Sequence, residues 1–228
     1  MRATRRAAEF SSLMLTYVGQ TPAKQEVFDI SMTCNEIMAS LTESVPKKIC
    51  LKKDFPHSGP YVQADKVQLH QIVSNLIINA CEGIGDRDGE IRVSIGSMKA
   101  KDISTDHIFP LRWEPVQDDY ICLEISDTGS GIESDVIDLI FDPFFSTKFT
   151  GRGLGLAVVT GFVHAHRGAV IVVSEPGRGS CFRVLWPALA TETTGHKEEH
   201  VTDCRPSHNS GKVLVVEDEV MNWREGAR

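Results

Sequence analysis

No apolar run in this 228-residue chain approaches the roughly 20 residues that a membrane-spanning helix needs. The N-terminus, MRATRRAAEF, is basic, but Glu9 interrupts it before an apolar segment can form, so no signal peptide is expected. Surplus positive charge is also missing. The 24 Lys and Arg against 31 Asp and Glu leave a formal net charge of -7, which argues against broad, nonspecific nucleic-acid binding. Paired cysteines are missing too: Cys34, Cys50, Cys81, Cys122, Cys181 and Cys204 include no CxxC, and most sit in apolar segments. Reduced, buried thiols in a cytoplasmic protein are therefore expected rather than a disulfide framework. What is present is ordinary for a soluble globular protein, 41% hydrophobic and 24% charged residues, in a length that suits one full domain and a fragment of another.

Periodicity divides the chain. Ala3, Ala7, Phe10, Met14 and Tyr17 alternate steps of four and three, a short helical seam that needs a partner helix, and Gly19 and Pro22 end it. A strand is expected over 27–30, a helix over 33–43 and a strand over 49–55; the stretch 57–62, with Gly59 and Pro60, reads as a loop. Asp65 is a good N-cap for a long helix that stops near Gly83 and Gly85. Strands at 90–96 and 120–126 flank a polar loop or hairpin insertion, 99–119. A short helix near 134–140, an irregular stretch 141–152, a helix over 154–167 and two strands, 169–174 and 180–186, complete the domain. From 188 to 211 the chain is polar and aperiodic, a linker. Within it His196, His200, Cys204 and His208 fall four apart, but Gly195, Pro206 and the lack of apolar support favour solvated chain over a metal-binding helix.

Four features carry chemistry. On the long helix Leu69, Val73, Leu76, Ala80 and Ile84 share one face, while Gln68, Asn75, Asn79 and Glu82 form a polar stripe. Asparagine inside a helix wants a partner, and its carboxamide oxygen is a hard ligand suited to Mg²⁺. The second feature, Asp127-Thr128-Gly129-Ser130-Gly131-Ile132, follows a strand. Its glycines permit a sharp turn and close approach to a flat ligand, and an ionised Asp there would accept from the exocyclic amine of adenine. Third, Phe141-Asp142-Pro143-Phe144-Phe145-Ser146-Thr147-Lys148 reads as an aromatic-anchored flap, with Lys148 able to reach a phosphate. Fourth, Gly151-Arg152-Gly153-Leu154-Gly155-Leu156 opens a helix whose free N–H groups favour an anion. Taken singly, the first two features are better explained by two structural asparagines and an Asx-turn.

In this order and spacing the four resemble the N box, first glycine box, F box and second glycine box of the GHKL ATPase superfamily, and most of all its sensor histidine kinases. The stretches 70–80 and 174–182 add to the resemblance. It implies an α+β fold, a two-layer α/β sandwich of the Bergerat type in which helices cover one face of a mixed β-sheet, preceded by a helix. It also implies ATP with Mg²⁺ as cofactors. Asn79 would coordinate Mg²⁺ with Asn75 alongside. Asp127 would hold the adenine, helped by Ser180, and Gly129 and Gly131 would shape the base pocket. Glu82, Lys148, Gly153, Leu154 and Gly155 complete the nucleotide-contacting set, with Asn75, Asn79 and Lys148 as the catalytic residues.

ATP-hydrolysing members place a general-base Glu four residues before the metal Asn; Asn75 stands there in this chain, and an amide cannot take a proton from water. Phosphoryl transfer to a histidine is therefore expected over a motor ATPase, with a regulatory nucleotide-binding module as the alternative. None of the eight histidines resembles the acceptor box. Residues 1–20 resemble the second helix of a dimerisation and acceptor hairpin, followed by the catalytic domain at 25–187, the linker at 188–211 and a receiver-like start at 212–228. Glu217 and Asp218 would be that receiver's Mg²⁺-binding acidic pair, which suggests a hybrid kinase cut at both ends. The partners implied are a histidine-bearing dimerisation domain, of the same chain or its partner protomer, and a response-regulator receiver. The full-length protein is expected to be a homodimer that binds no nucleic acid. A cytoplasmic location is expected, compatible with a membrane anchor elsewhere in the full-length protein.

Overall fold

The structure, a computed structural model, describes residues 24–147 and 153–189. The expected segments at 1–20 and 212–228, most of the linker, and Lys148, Glu217 and Asp218 lie outside the described residues.

Strand β1 (Glu26–Asp29) leads directly into helix α1 (Ile30–Leu41). The helix starts three residues earlier than the apolar spacing suggested because Asp29 caps it, its carboxylate accepting from the Met32 N–H at 3.0 Å. Strand β2 (Ile49–Asp54) follows, then β3 (Tyr61–Ala64), which pairs antiparallel with β1. Strand β3 carries no local signal: it lies just past Gly59 and Pro60, and its partner strand is more than thirty residues away. Helix α2 (Lys66–Ile84) begins where expected, and Asp65 accepts from the N–H groups of Val67 and Gln68 at 2.8 and 3.2 Å. It stops at Gly85, whose φ of 67° suits glycine.

Strands β4 (Gly89–Lys99), β5 (Ile108–Phe109), β6 (Asp119–Asp127), β7 (Ala169–Glu175) and β8 (Gly179–Pro187) join β2 in a sheet of order β2-β4-β6-β8-β7-β5. The β2–β4 pair is parallel and the others are antiparallel, so the sheet is mixed. Helix α3 (Gly155–Ala165) packs with α1 and α2 on the same core, on one face of the sheet. Alternation along the strands explains the layering. Ile121, Leu123 and Ile125 of β6 and Phe182, Val184 and Trp186 of β8 point into one core with Leu69, Leu76, Val159 and Val163 of the helices. The expected two-layer sandwich is what the chain forms. The other face has its own small core, where Tyr120, Cys122, Ala169, Ile171 and Leu185 meet Ile108, Ile103 and Trp113 of the 99–119 insertion. That insertion is therefore a packed element, not a free loop.

The helix expected at 134–140 is absent. Successive turns replace it, with Val136, Leu139 and Asp142 N–H groups each bonding three residues back, to Glu133, Val136 and Leu139. Ser134, Asp135 and Asp138 compete for nearby backbone groups and Val136, Ile137 and Ile140 are β-branched, so helix propensity there is poor.

The thiols divide. Burial pushes Cys34 and Cys181 up to about 12 and Cys122 to about 11, so they behave as inert apolar groups, whereas Cys50 is exposed. All five described cysteines are free, and Cys204 lies outside the described residues.

The Asp65 cap yields a direct prediction. Asp65→Ala leaves two N–H groups of α2 without an acceptor and should cost about 1 kcal/mol, measured as a lower urea midpoint with an unchanged slope. An unchanged midpoint would show that solvent replaces the cap at no cost.

Candidate functional site

A cleft of about 400 Å³ opens between α2, the segment after β6, and the start of α3. Its walls can be built from the sequence outward. On α2, Asn75 and Asn79 lie one turn apart and both line the cleft, with Glu82 three residues further on. Gln68, assigned to the same stripe, is buried instead at 7% exposure and does not line the cleft. The polar stripe thus divides into a core residue at its start and cleft residues beyond.

Asp127 ends β6 at 8% exposure and forms part of the cleft wall. Its Oδ1 accepts the Gly129 N–H at 2.7 Å, the Asx-turn that the sequence alone allowed, so turn and ligand contact are compatible roles for one side chain. Three chain segments converge on it. A Cβ at Gly129 would lie 2.5 Å from Asp127 Oδ1 and 2.7 Å from the Gly83 carbonyl carbon. One at Gly179, where φ is +95°, would sit 1.9 Å from the Asp127 carbonyl oxygen. Neither position tolerates another residue without displacing Asp127, through its carboxylate at Gly129 and through its backbone at Gly179. Gly83, near the end of α2, also lines the cleft, a role its sequence position does not signal, and its carbonyl accepts the Ser130 N–H at 3.0 Å.

The turn after Asp127 is held at several points. Thr128 exchanges hydrogen bonds with the Glu90 backbone, and Gly177 N–H donates to the Ser130 carbonyl at 2.6 Å. Ser174 Oγ accepts from Ile132 N–H at 2.9 Å and lies 2.9 and 3.0 Å from the Gly179 carbonyl and Ser180 Oγ. Ser174 matters to the site but not as a contact, which is why a search for ligand-facing residues passes over it. Gly131 and Ser180 line the cleft as expected; Gly129 is not part of the lining and shapes it from behind, through Asp127.

Gly153, Leu154 and Gly155 all line the opposite wall. Phe144 N–H donates to the Gly153 carbonyl at 2.8 Å, bringing together the two ends of the segment that contains Lys148. Helix α3 begins at Gly155 with no side-chain cap from Leu154, so its first N–H groups have no partner of that kind. Asn75 fixes this helix end. Its Nδ2 donates to the Gly155 carbonyl at 3.1 Å and its Oδ1 accepts from Gln71 at 3.3 Å.

Glu82, Asp127 and Glu133 bring acidic groups to the cleft, and no Lys, Arg or His lines it among the described residues. Beside it, burial and then the Glu82 and Asp127 charges raise the Cys81 thiol above its ordinary value, so it stays protonated and unreactive. No three His, Cys, Asp or Glu side chains among the described residues are placed so that they could together hold a metal ion. A metal here would therefore rely on carboxamide oxygen and on oxygens that a ligand brings.

The comparisons with known proteins agree with this geometry. The chain is 32% identical over 222 residues to the sensor kinase CckA of Brucella abortus, covering 94% of this chain and 23% of that protein. It is 37% identical over 131 residues to the sensor histidine kinase ZraS of Salmonella typhimurium, covering 58% and 24%. The chain thus spans about a quarter of the length of these relatives. The solved catalytic domain of the histidine kinase ThkA superposes with a TM-score of 0.57 at 23% identity, covering 72% of this chain and 96% of that one, a likeness of fold. Residues 64–190, which contain every described wall of the cleft, match the model of the histidine kinase-, DNA gyrase B- and HSP90-like ATPases, and the chain belongs to that family.

Proposed function

We propose that this chain is the ATP-binding catalytic domain of a two-component sensor histidine kinase, donating the γ-phosphoryl group of ATP to a histidine on a dimerisation domain. The observation that carries the reading is the buried Asp127 carboxylate, set in the cleft wall by an Asx-turn and by glycines at 129 and 179. An acceptor-only group in that position recognises the amine of adenine and repels the carbonyl that guanine presents there.

Asn79 would hold Mg²⁺, with the phosphates supplying further oxygens. The fit rests on chemistry: the described walls offer two carboxamides and three acids but no cation, and a triphosphate beside those acids needs a positive counter-charge. Mg²⁺ supplies charge neutralisation of the phosphates and of the oxygen that leaves. Lys148 would add a second positive charge, and the uncapped start of α3 would meet the phosphates with its N–H groups. Asn75 acts differently. Both ends of its carboxamide are engaged, so it serves to seat α3 beside α2 rather than to activate water. A neutral imidazole acceptor needs no such base, which favours phosphoryl transfer over hydrolysis.

The remaining parts of the proposal follow the sequence. The domain runs over 25–187. Residues 1–20 end an acceptor hairpin that dimerises in the full-length protein, and 188–211 link to a receiver start whose acidic pair is Glu217 and Asp218. A hybrid kinase acting in the cytoplasm with a receiver as its phosphoryl acceptor is the arrangement this suggests. Among the described residues no helix is long and apolar enough to cross a membrane.

Three outcomes test the reading. Asp127→Asn exchanges a charged acceptor for a neutral amide and should weaken ATP binding by about 10- to 100-fold in calorimetry, the worth of a hydrogen bond to a charged group; unchanged affinity would sink the adenine assignment. Asn79→Asp should shift the Mg²⁺ concentration that supports ATP binding while leaving metal-free ADP binding in place, and superimposable Mg²⁺ titrations would remove Asn79 from the metal site. Incubated with labelled Mg-ATP and a separate acceptor hairpin, the chain should place acid-labile, base-stable label on the hairpin. Tight binding without transfer would make it a regulatory nucleotide-binding module instead.

A further inference from the structure

The wall of the cleft between Glu133 and Asp142 has little structure of its own. It is a run of turns without a helix, yet Glu133, Val136 and Ile140 line the cleft. Something must hold it, and the 99–119 insertion reaches it twice.

Strand β5 extends the sheet beyond β7, pairing Ile108 with Ile171 and Phe109 with Val170. Alternation turns Ile108 to the outer core and Phe109 to the inner one. There the Phe109 ring lies 4.3 Å from that of Phe141, the residue next to Ile140, and the two rings are only 4% and 6% exposed. Without the insertion the sheet would end at β7 and this side of Phe141 would face water. The second reach is polar. His107 Nδ1 lies 3.3 Å from Asp138 Oδ1. His107 has a φ of 48°, uncommon for a non-glycine residue, and its carbonyl accepts the Val172 N–H at 3.1 Å, which ties that backbone to β7. The far part of the insertion is anchored as well. Trp113 stacks edge-on against Tyr120 at 5.3 Å, and Tyr120 Oη accepts the Val116 N–H at 2.8 Å.

We propose that the 99–119 insertion braces the wall of the nucleotide cleft, with Phe109 and His107 as positioning residues for ATP binding. The brace transmits the rigidity of the sheet to a segment that lacks its own. The ATP-binding part rests on the function proposed above, while the bracing itself does not.

The test is hydrogen exchange on the full chain, without nucleotide, paired with calorimetric ATP binding. In Phe109→Ala, amides of 134–142 should exchange at least about tenfold faster while those of α2 and β6 keep their protection. ATP affinity should fall by about tenfold, and Phe109→Leu, which keeps an apolar side chain at that position, should recover most of both. Unchanged exchange in 134–142 in a folded Phe109→Ala protein overturns the brace. Unchanged ATP affinity despite faster exchange overturns the positioning role. Should Phe109→Ala lose protection throughout, Asp138→Ala decides, since Asp138 is well exposed: faster exchange confined to 134–142 supports the brace, and none overturns it. A wild-type chain that failed to bind ATP would defeat the proposed function and the positioning role with it, and the bracing would stand or fall on exchange.

Discussion

A carboxylate set at the edge of a protein core is useful only if the chain around it comes close without covering it. At Asp127 the end of α2, the turn after β6 and the start of β8 all approach within contact distance, and each does so with a glycine: Gly83, Gly129 and Gly179. A side chain at either of the last two would collide with Asp127 itself. Burying an ionised group is costly unless it is hydrogen-bonded, and the Gly129 N–H bond answers part of that cost. The strand order follows from the same need. With β6 at the centre of the sheet between β4 and β8, Asp127 emerges where α2 and the β7–β8 turn both pass.

The second organising element is α2. Its apolar face, with Leu69, Val73 and Leu76, packs on the sheet, while Asn75 and Asn79 turn to the cleft. Asn75 joins α2 to the start of α3, so the helix that carries Asn75 and Asn79 along one wall of the cleft also seats the wall opposite. At the opposite end His166, just past α3, accepts the Asp65 N–H at 3.3 Å and bonds the Phe162 carbonyl at 2.7 Å through its other nitrogen. The two helices are thus tied near both ends of α3. Their relative position is set by geometry that the nucleotide itself does not have to create.

What could be read from the sequence was what depends on neighbours in the chain. The Asp65 cap, the Gly85 stop, the glycines around Asp127 and the alternation of β6 and β8 are local signals, and the structure contains all of them. Nine expected cleft residues line it: Asn75, Asn79, Glu82, Asp127, Gly131, Gly153, Leu154, Gly155 and Ser180. What escaped depends on distant partners. Strand β3 exists because β1 pairs with it, and Gln68 is buried because α2 is covered on that side. The insertion could be delimited but not placed, since Phe109 acquires its role only from Phe141. The turns at 134–140 resemble a helix in sequence because apolar spacing there reflects contact with the core, where Ile137 is 2% exposed, and not helical order.

The central claim is that Asp127 reads adenine from a cleft built to receive a nucleoside triphosphate. Calorimetric titration of the full chain with ATP and with GTP, each with Mg²⁺, tests it most directly. The account predicts saturable ATP binding and GTP binding weaker by at least about tenfold, because guanine presents an acceptor to an acceptor-only carboxylate. Equal affinity for the two nucleotides, or none for ATP, would contradict it.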